Sequence, residues 1–333
     1  MRTGAGGKAM IPVFDMHADV FMDLVRRAEA AGDGGTSPEL VPRHIDRMRS
    51  GGIRGAALID CRMAGEEAEP RHLESFIRVV RREAAAAGPG VRIVRSGEEL
   101  KAAWSSGAFS VVVGYEGLAP ARGDLGWISR LYSEADLRIA ALTHNGDNEL
   151  GGGALGERDG LTEKGREALS ILNELGVLVD LAHAGGSTRR DILAASSRPV
   201  LLSHTSAKAV YDNGRNLSDG ELRAVADRGG LVGCMTSPAA LAPADDRKHR
   251  NLGRYMEHLR HMIDVAGIEH VGLGLHFCEY LYSADVYPPP DGLEDASRTG
   301  GIVESLLDSG LREGEAEKVA FGNFARVFSE AVG

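Results

Sequence analysis

Eight short apolar runs recur along the 333-residue chain, most followed by an amphipathic stretch, and this alternation limits the possible folds most. The runs are IPVFDM (11–16), IRGAALID (53–60), FSVVVG (109–114), LRIAAL (137–142), GVLVDL (176–181), PVLLS (199–203), GLVGCM (230–235) and HVGLGL (270–275). Most are too short and too apolar or β-branched for free helices, and they are bounded by Gly, Pro or Asp, which reads as strand. Between them, LESFIRVVRREAAAA (73–87), TEKGREALSILNEL (162–175), DGELRAVADR (219–228) and LGRYMEHLRHMIDVAG (252–267) carry helical patterns. Ser218-Asp219 forms a persuasive helix start, whereas Thr162 has Gly165 three residues on where a capping box wants Glu.

Strands apolar on both faces and separated by helices indicate a parallel sheet with helices outside. Eight repeats favour a closed α/β barrel, the (β/α)8 TIM architecture, over an open doubly wound sheet. The open sheet is the alternative, but no GxGxxG follows the first strand to support nucleotide binding. Residues 11–333 read as one barrel domain and 1–10 as an N-terminal extension. A weak strand, VRIV (91–94), and late helices at 302–309 and 315–331 read as additions to the barrel. Segments 236–250 and 277–298 are polar, Pro-rich loops at the predicted top face, long enough for substrate lids or subunit contacts.

A formal net charge of −10 argues against a nucleic-acid surface, which needs a clustered basic face. Cys61, Cys234 and Cys278 are odd in number and far apart, with no CxxC pair, so a reducing compartment is the simpler reading. None of them sits naturally as a metal ligand. The opening MRTGAGGKAM is not followed by an apolar h-region, and no run approaches a membrane span. The expectation is a cytoplasmic protein without a membrane or nucleic-acid partner, with a homodimer open.

In a barrel of this type, function collects at the C-terminal ends of the strands. Five of the 11 histidines fall there: His17 and Asp19 after strand 1, His144 after strand 4, then His183, His204 and His276, with Glu116 after strand 3. Singly, each has a bland reading as a hydrogen-bonded structural residue. Together on one face they point to chemistry. His17 and Asp19, two apart, can converge on one ion, His183 and His204 suit a second, and a carboxylate such as Glu116 can bridge. Imidazole and carboxylate donors suit zinc, with manganese, iron or cobalt also admitted. Two such ions clamp a bridging water, lower its pKa and polarise a carbonyl, which is metal-assisted hydrolysis.

FDMHADV, GYEG, LTHNGDNELGGG, LVDLAHAG, LLSHTSAKAVYDNGRNLSDGEL and GNFARVF, in this order and spacing, resemble the membrane dipeptidase (renal dipeptidase) family from about residue 11 onward. The resemblance implies a metallo-dependent hydrolase barrel with two zinc ions that cleaves dipeptides, often with a D-residue at the C-terminal position. It implies that His17 and Asp19 hold one zinc, Glu116 bridges, and His183 and His204 hold the other. His144 would stabilise the oxyanion on the scissile carbonyl side, and Arg215 would grip the substrate carboxylate.

One departure stands out. The family's last strand ends in G-x-G-S-D-F, whose Asp assists the bridging water, whereas this chain has Gly272-Leu273-Gly274-Leu275-His276-Phe277. His276 is then a replacement base, a metal ligand, or a residue packed under Phe277, and Asp285 or Glu279 are candidates to replace the missing carboxylate. Three functions stay open: hydrolysis of a dipeptide or small carboxylate-bearing amide, another reaction on a pathway-specific substrate, and metal binding without turnover.

Overall fold

The computed structural model describes residues 11–32, 37–62 and 69–333; the predicted extension 1–10 lies outside the described residues. Its strands are β1 (Val13–Ala18), β2 (Ile53–Cys61), β3 (Val91–Ile93), β4 (Phe109–Glu116), β5 (Leu137–Ala141), β6 (Leu178–Asp180), β7 (Leu201–Thr205), β8 (Leu231–Cys234) and β9 (Val271–Leu273). All pair in parallel, in the order β1-β2-β4-β5-β6-β7-β8-β9, with β3 attached to β4 alone. This is a (β/α)8 barrel.

Closure between β9 and β1 uses single hydrogen bonds rather than a ladder. His276 N–H donates to His17 O at 3.0 Å, and Leu275 N–H donates to Asp15 Oδ1 at 2.8 Å. Asp15, buried beneath the rim, therefore fastens the seam and at the same time receives the N–H of His17 at 3.1 Å. The strand ends that carry the chemistry are tied to one another at this seam.

The helices follow the predicted pattern closely. Ser218 forms a full capping box with Glu221 at the start of Asp219–Asp227. Thr162 proves to be a cap as well, its hydroxyl accepting the Gly165 N–H at 3.0 Å. An N-cap needs only a backbone N–H three residues on, so Gly at that place costs the reciprocal Glu contact and not the cap itself.

Side chains inside the barrel form a separate apolar cluster that includes Phe14, Met16, Ile59, Val112, Ile139, Leu178, Leu201 and Leu231. The C-terminal helix Asn323–Val332 belongs to this cluster through Phe324 and Phe328, so it floors the barrel instead of being an appendage. Phe324 stacks on Phe14 with ring centroids 3.9 Å apart. Phe324→Ala is expected to lower unfolding stability by about 3–5 kcal/mol, because the floor cannot collapse onto the cavity left behind. Chemical denaturation checks it, and a loss under about 1 kcal/mol would mean the helix is peripheral. No described helix is long and apolar enough to cross a membrane.

Candidate metal centre

At the opposite end of the barrel, the strand termini enclose a cavity of about 440 Å³. Asp19, Glu116, His144, His183, His204, Arg215 and His276 line it, and His17 lies fully buried against Asp19 and His204. All eight residues singled out in the sequence thus meet in one place. A wider hollow of about 980 Å³ lies elsewhere, over Glu29, Arg71, Glu74 and Arg78, and the described residues that line it include neither histidine nor cysteine. The chemistry therefore points to the smaller cavity.

Local backbone geometry brings these groups together. His183 and His276 both adopt left-handed φ values, 63° and 55°, which non-glycine residues reach only at a conformational cost. Gly117 follows Glu116 with φ 83°, and a Cβ there would stand 2.8 Å from His144 Cβ. Glycine is needed at this point for His144 to close on the end of β4.

Three histidines have their Nδ1 atoms engaged behind the cavity. His17 Nδ1 lies 3.1 Å and His204 Nδ1 2.9 Å from Ser203 Oγ, and His183 Nδ1 lies 2.8 Å from Asn145 Oδ1. Asn145 Oδ1 can only accept, which assigns the proton of His183 to Nδ1 and leaves Nε2 as a lone pair. Arg215 Nη2 donates to that same Nε2 at 3.0 Å, in agreement. Partners of this kind behind an imidazole fix its tautomer and aim the free nitrogen.

The Nε2 atoms converge on carboxylates. His17 Nε2 is 3.2 Å from Asp19 Oδ1, and His183 Nε2 is 3.2 Å and His204 Nε2 4.0 Å from Glu116 Oε1. His183 Nε2 and His204 Nε2 stand only 2.9 Å apart. Glu116 Oε1 is buried and has no hydrogen-bond partner among the described residues. Two overlapping donor sets result, His17/Asp19/Glu116 and Glu116/His183/His204, each with its ligand atoms within 4.8 Å of one another.

Burial pushes the Glu116 carboxyl up to about 8, against the opposing pull of His17. Burial, with Arg215 and neighbouring histidines adding to it, drives His183 and His204 well below the usual imidazole range. His17 differs: although burial opposes it, Glu116 and Asp19 raise it to about 9. The neutral imidazoles of His183 and His204 beside Glu116 are the donor chemistry a divalent cation requires. His144 is lowered to about 4 by burial and Arg215, so near neutral pH it acts as a neutral N–H donor and not as a cation. His276 is lowered to about 4 by burial, although Asp19 opposes the shift.

The candidates to replace the missing carboxylate do not reach the cavity. Glu279 pairs with Arg47 at 3.1 Å, and Asp285 is exposed. Two residues that sequence reasoning set aside do reach it: Cys61 and Cys278 line the cavity. Cys61 is the last residue of β2, one place beyond the apolar run, and Cys278 lies two after His276. The rule that function gathers at strand ends applied to both. The loops at 236–250 and 277–298 add Ser237, Ala239, Ala240, Tyr282 and Tyr287 to the wall.

A (β/α)8 barrel with imidazoles and carboxylates grouped at its strand ends belongs to the metallohydrolase class of architecture. Within it, the chain belongs to the membrane dipeptidase family (Peptidase family M19), whose model matches residues 8–332. The dipeptidase aclJ of Aspergillus oryzae is 30% identical over 229 residues, 68% of this chain and 52% of that relative. An uncharacterized dipeptidase of Schizosaccharomyces pombe is 33% identical over 223 residues, 66% of this chain. Both alignments span only about half of the relative's own length, 52% in each case. Among solved structures, a Rhodobacter sphaeroides metallopeptidase liganded with a phosphinate mimic of L-Ala-D-Ala superposes with TM-score 0.82 at 22% identity. That match covers 97% of this chain and 100% of the other.

Proposed function

We propose that the chain is a dipeptidase holding two divalent ions, zinc by the character of its donors, with Glu116 as the shared ligand. His17 and Asp19 would hold one ion, His183 and His204 the other. The observation that carries this reading is Glu116 Oε1, a buried carboxylate oxygen without a hydrogen-bond partner among the described residues, facing His183 Nε2 at 3.2 Å. Ions at such a site supply an acidified water and a Lewis acid for the scissile carbonyl.

The protein's own groups then divide the remaining work. Ser203 and Asn145 hold the imidazoles of His17, His204 and His183 with Nε2 forward. His144, a neutral donor 3.6 Å from Glu116 Oε2, is placed to hydrogen-bond the oxygen that gains charge as the carbonyl becomes tetrahedral. Arg215 offers a planar fork to the terminal carboxylate of a dipeptide, and Asn145 Oδ1 steadies it at 3.1 Å. The relative that binds an L-Ala-D-Ala mimic supports a dipeptide with a D-residue at its C-terminal position as substrate.

The direct test is incubation with L-Ala-D-Ala and L-Ala-L-Ala while free amino acids are measured. Cleavage is expected, to stop when a chelator is added and to return with zinc. Protein that keeps its ions yet cleaves no member of a dipeptide panel would leave only a dedicated substrate or a binding role.

A further inference from the structure

The two oxygens of Asp19 face different partners. Oδ1 lies 3.2 Å from His17 Nε2. Oδ2 lies 3.3 Å from His276 Nε2 and 3.8 Å from Cys278 Sγ, and Sγ is also 3.5 Å from His276 Nδ1. All three side chains line the catalytic cavity, and Asp19 and Cys278 are only 5% and 3% exposed. We propose that Cys278, as a thiolate, and His276 complete the coordination of the ion assigned to His17 and Asp19. This rests on the metal-binding reading above and adds a sulfur ligand to it.

The spacing fits. With metal–N and metal–O distances of about 2.0–2.2 Å and metal–S of about 2.3 Å, tetrahedral ligand atoms stand roughly 3.3–3.6 Å apart. His276 Nε2 and Asp19 Oδ2, at 3.3 Å, match that edge; His17–Asp19 and Glu116–His183, each at 3.2 Å, lie just under it, and Cys278 Sγ to Asp19 Oδ2, at 3.8 Å, just over it. One ion could span the 3.3 Å between His276 Nε2 and Asp19 Oδ2. Asp19, His276 and Cys278 are also mutually within 4.8 Å as a possible ligand group.

Charge points the same way. Two divalent cations carry more charge than the two ligand carboxylates, Asp19 and Glu116, and a thiolate ligand offsets one unit of that surplus. The backbone makes the convergence possible. The left-handed turn at His276, φ 55°, folds the chain after β9 so that residues 276 and 278 both meet Asp19. On binding, the thiol proton passes to solvent and a sulfur–metal bond forms, with no change of oxidation state. A soft donor biases this position toward zinc or cobalt over magnesium or calcium.

Cobalt(II) substitution of the full chain reads this without any activity measurement. The metal-free protein is loaded with cobalt and followed by near-ultraviolet absorption, where thiolate-to-cobalt charge transfer appears, and by equilibrium binding. Wild type is expected to bind two ions and show the band. Cys278→Ser should lose the band and weaken one cobalt site at least tenfold, while Cys234→Ser, altered at the buried end of β8, retains both properties. Two bound ions without the band would overturn the proposal and reduce the trio to a hydrogen-bond chain, leaving the paired-ion reading intact. A band that survives Cys278→Ser, or one that disappears only in Cys61→Ser, would overturn it equally. Failure to bind any cobalt would overturn both readings.

Discussion

Glu116→Gln is expected to abolish the paired ion site while leaving the barrel folded. The amide keeps the shape of the side chain but loses the charge that both donor sets share. Bound zinc should fall from two ions per chain to one or none. Dipeptide turnover should fall by about three orders of magnitude, equivalent to roughly 4 kcal/mol of barrier. Stability of the metal-free protein should not fall, because burial already pushes this carboxyl up to about 8 and a neutral amide is cheaper to bury. The contrast lies in the ligand-dependent part. Zinc at about 100 times its Kd should stabilise wild type by roughly 2.7 kcal/mol per site, and the variant by far less. Thermal melts with and without zinc, beside elemental analysis, measure both effects. A variant that retains two ions would remove Glu116 from the bridging position.

Arg215→Ala carries the second large effect, and it is selective. A guanidinium that binds a carboxylate through charge-assisted hydrogen bonds contributes on the order of 2 kcal/mol, about thirtyfold in kcat/KM. That loss should appear for dipeptides with a free C-terminal carboxylate and vanish for carboxamide-capped analogues. Arg215 also donates to Asn145 Oδ1 at 3.1 Å and to His183 Nε2 at 3.0 Å, so a general disturbance of the His183 side is the competing account. Metal content separates the two, since positioning of the substrate predicts unchanged zinc in the variant. An equal loss for both substrate classes would assign Arg215 some other role.

Most of the barrel was legible because its strands are buried on both faces and therefore read as unbroken apolar runs. The runs end early where chemistry begins. β2 continues to Cys61 and β4 to Glu116, and the ladder pairs those two residues with each other. Polar side chains at these places hide the strand from an apolar pattern while the backbone goes on pairing. GVLVDL errs the other way: only Leu178–Asp180 forms strand, because Gly176 takes a left-handed φ of 70° to end the preceding helix. The seam between β9 and β1 was invisible, since it depends on Asp15 reaching the Leu275 N–H across 260 residues of sequence. Nor does an amphipathic 323–332 reveal that its apolar face meets Phe14 at the barrel floor, as tertiary packing alone selects the partner of such a face.

The site was legible as a set of residue types at strand ends, but not in its orientation. His17, His183 and His204 could be named from position. That Ser203 takes Nδ1 of His17 and Asn145 that of His183 was hidden, because these contacts join segments 186 and 38 residues apart, and only Ser203–His204 is local. Cys278 was discounted as a lone thiol far from other cysteines, a criterion that detects disulfides and CxxC metal sites but not a thiol placed beside a histidine and an aspartate.

The most direct measurement is anomalous scattering at the zinc edge from crystals of the zinc-loaded protein. Two peaks are expected on either side of Glu116, about 3.5 Å apart, as in other two-metal sites. A single peak, or peaks away from Glu116, would contradict the paired-ion account.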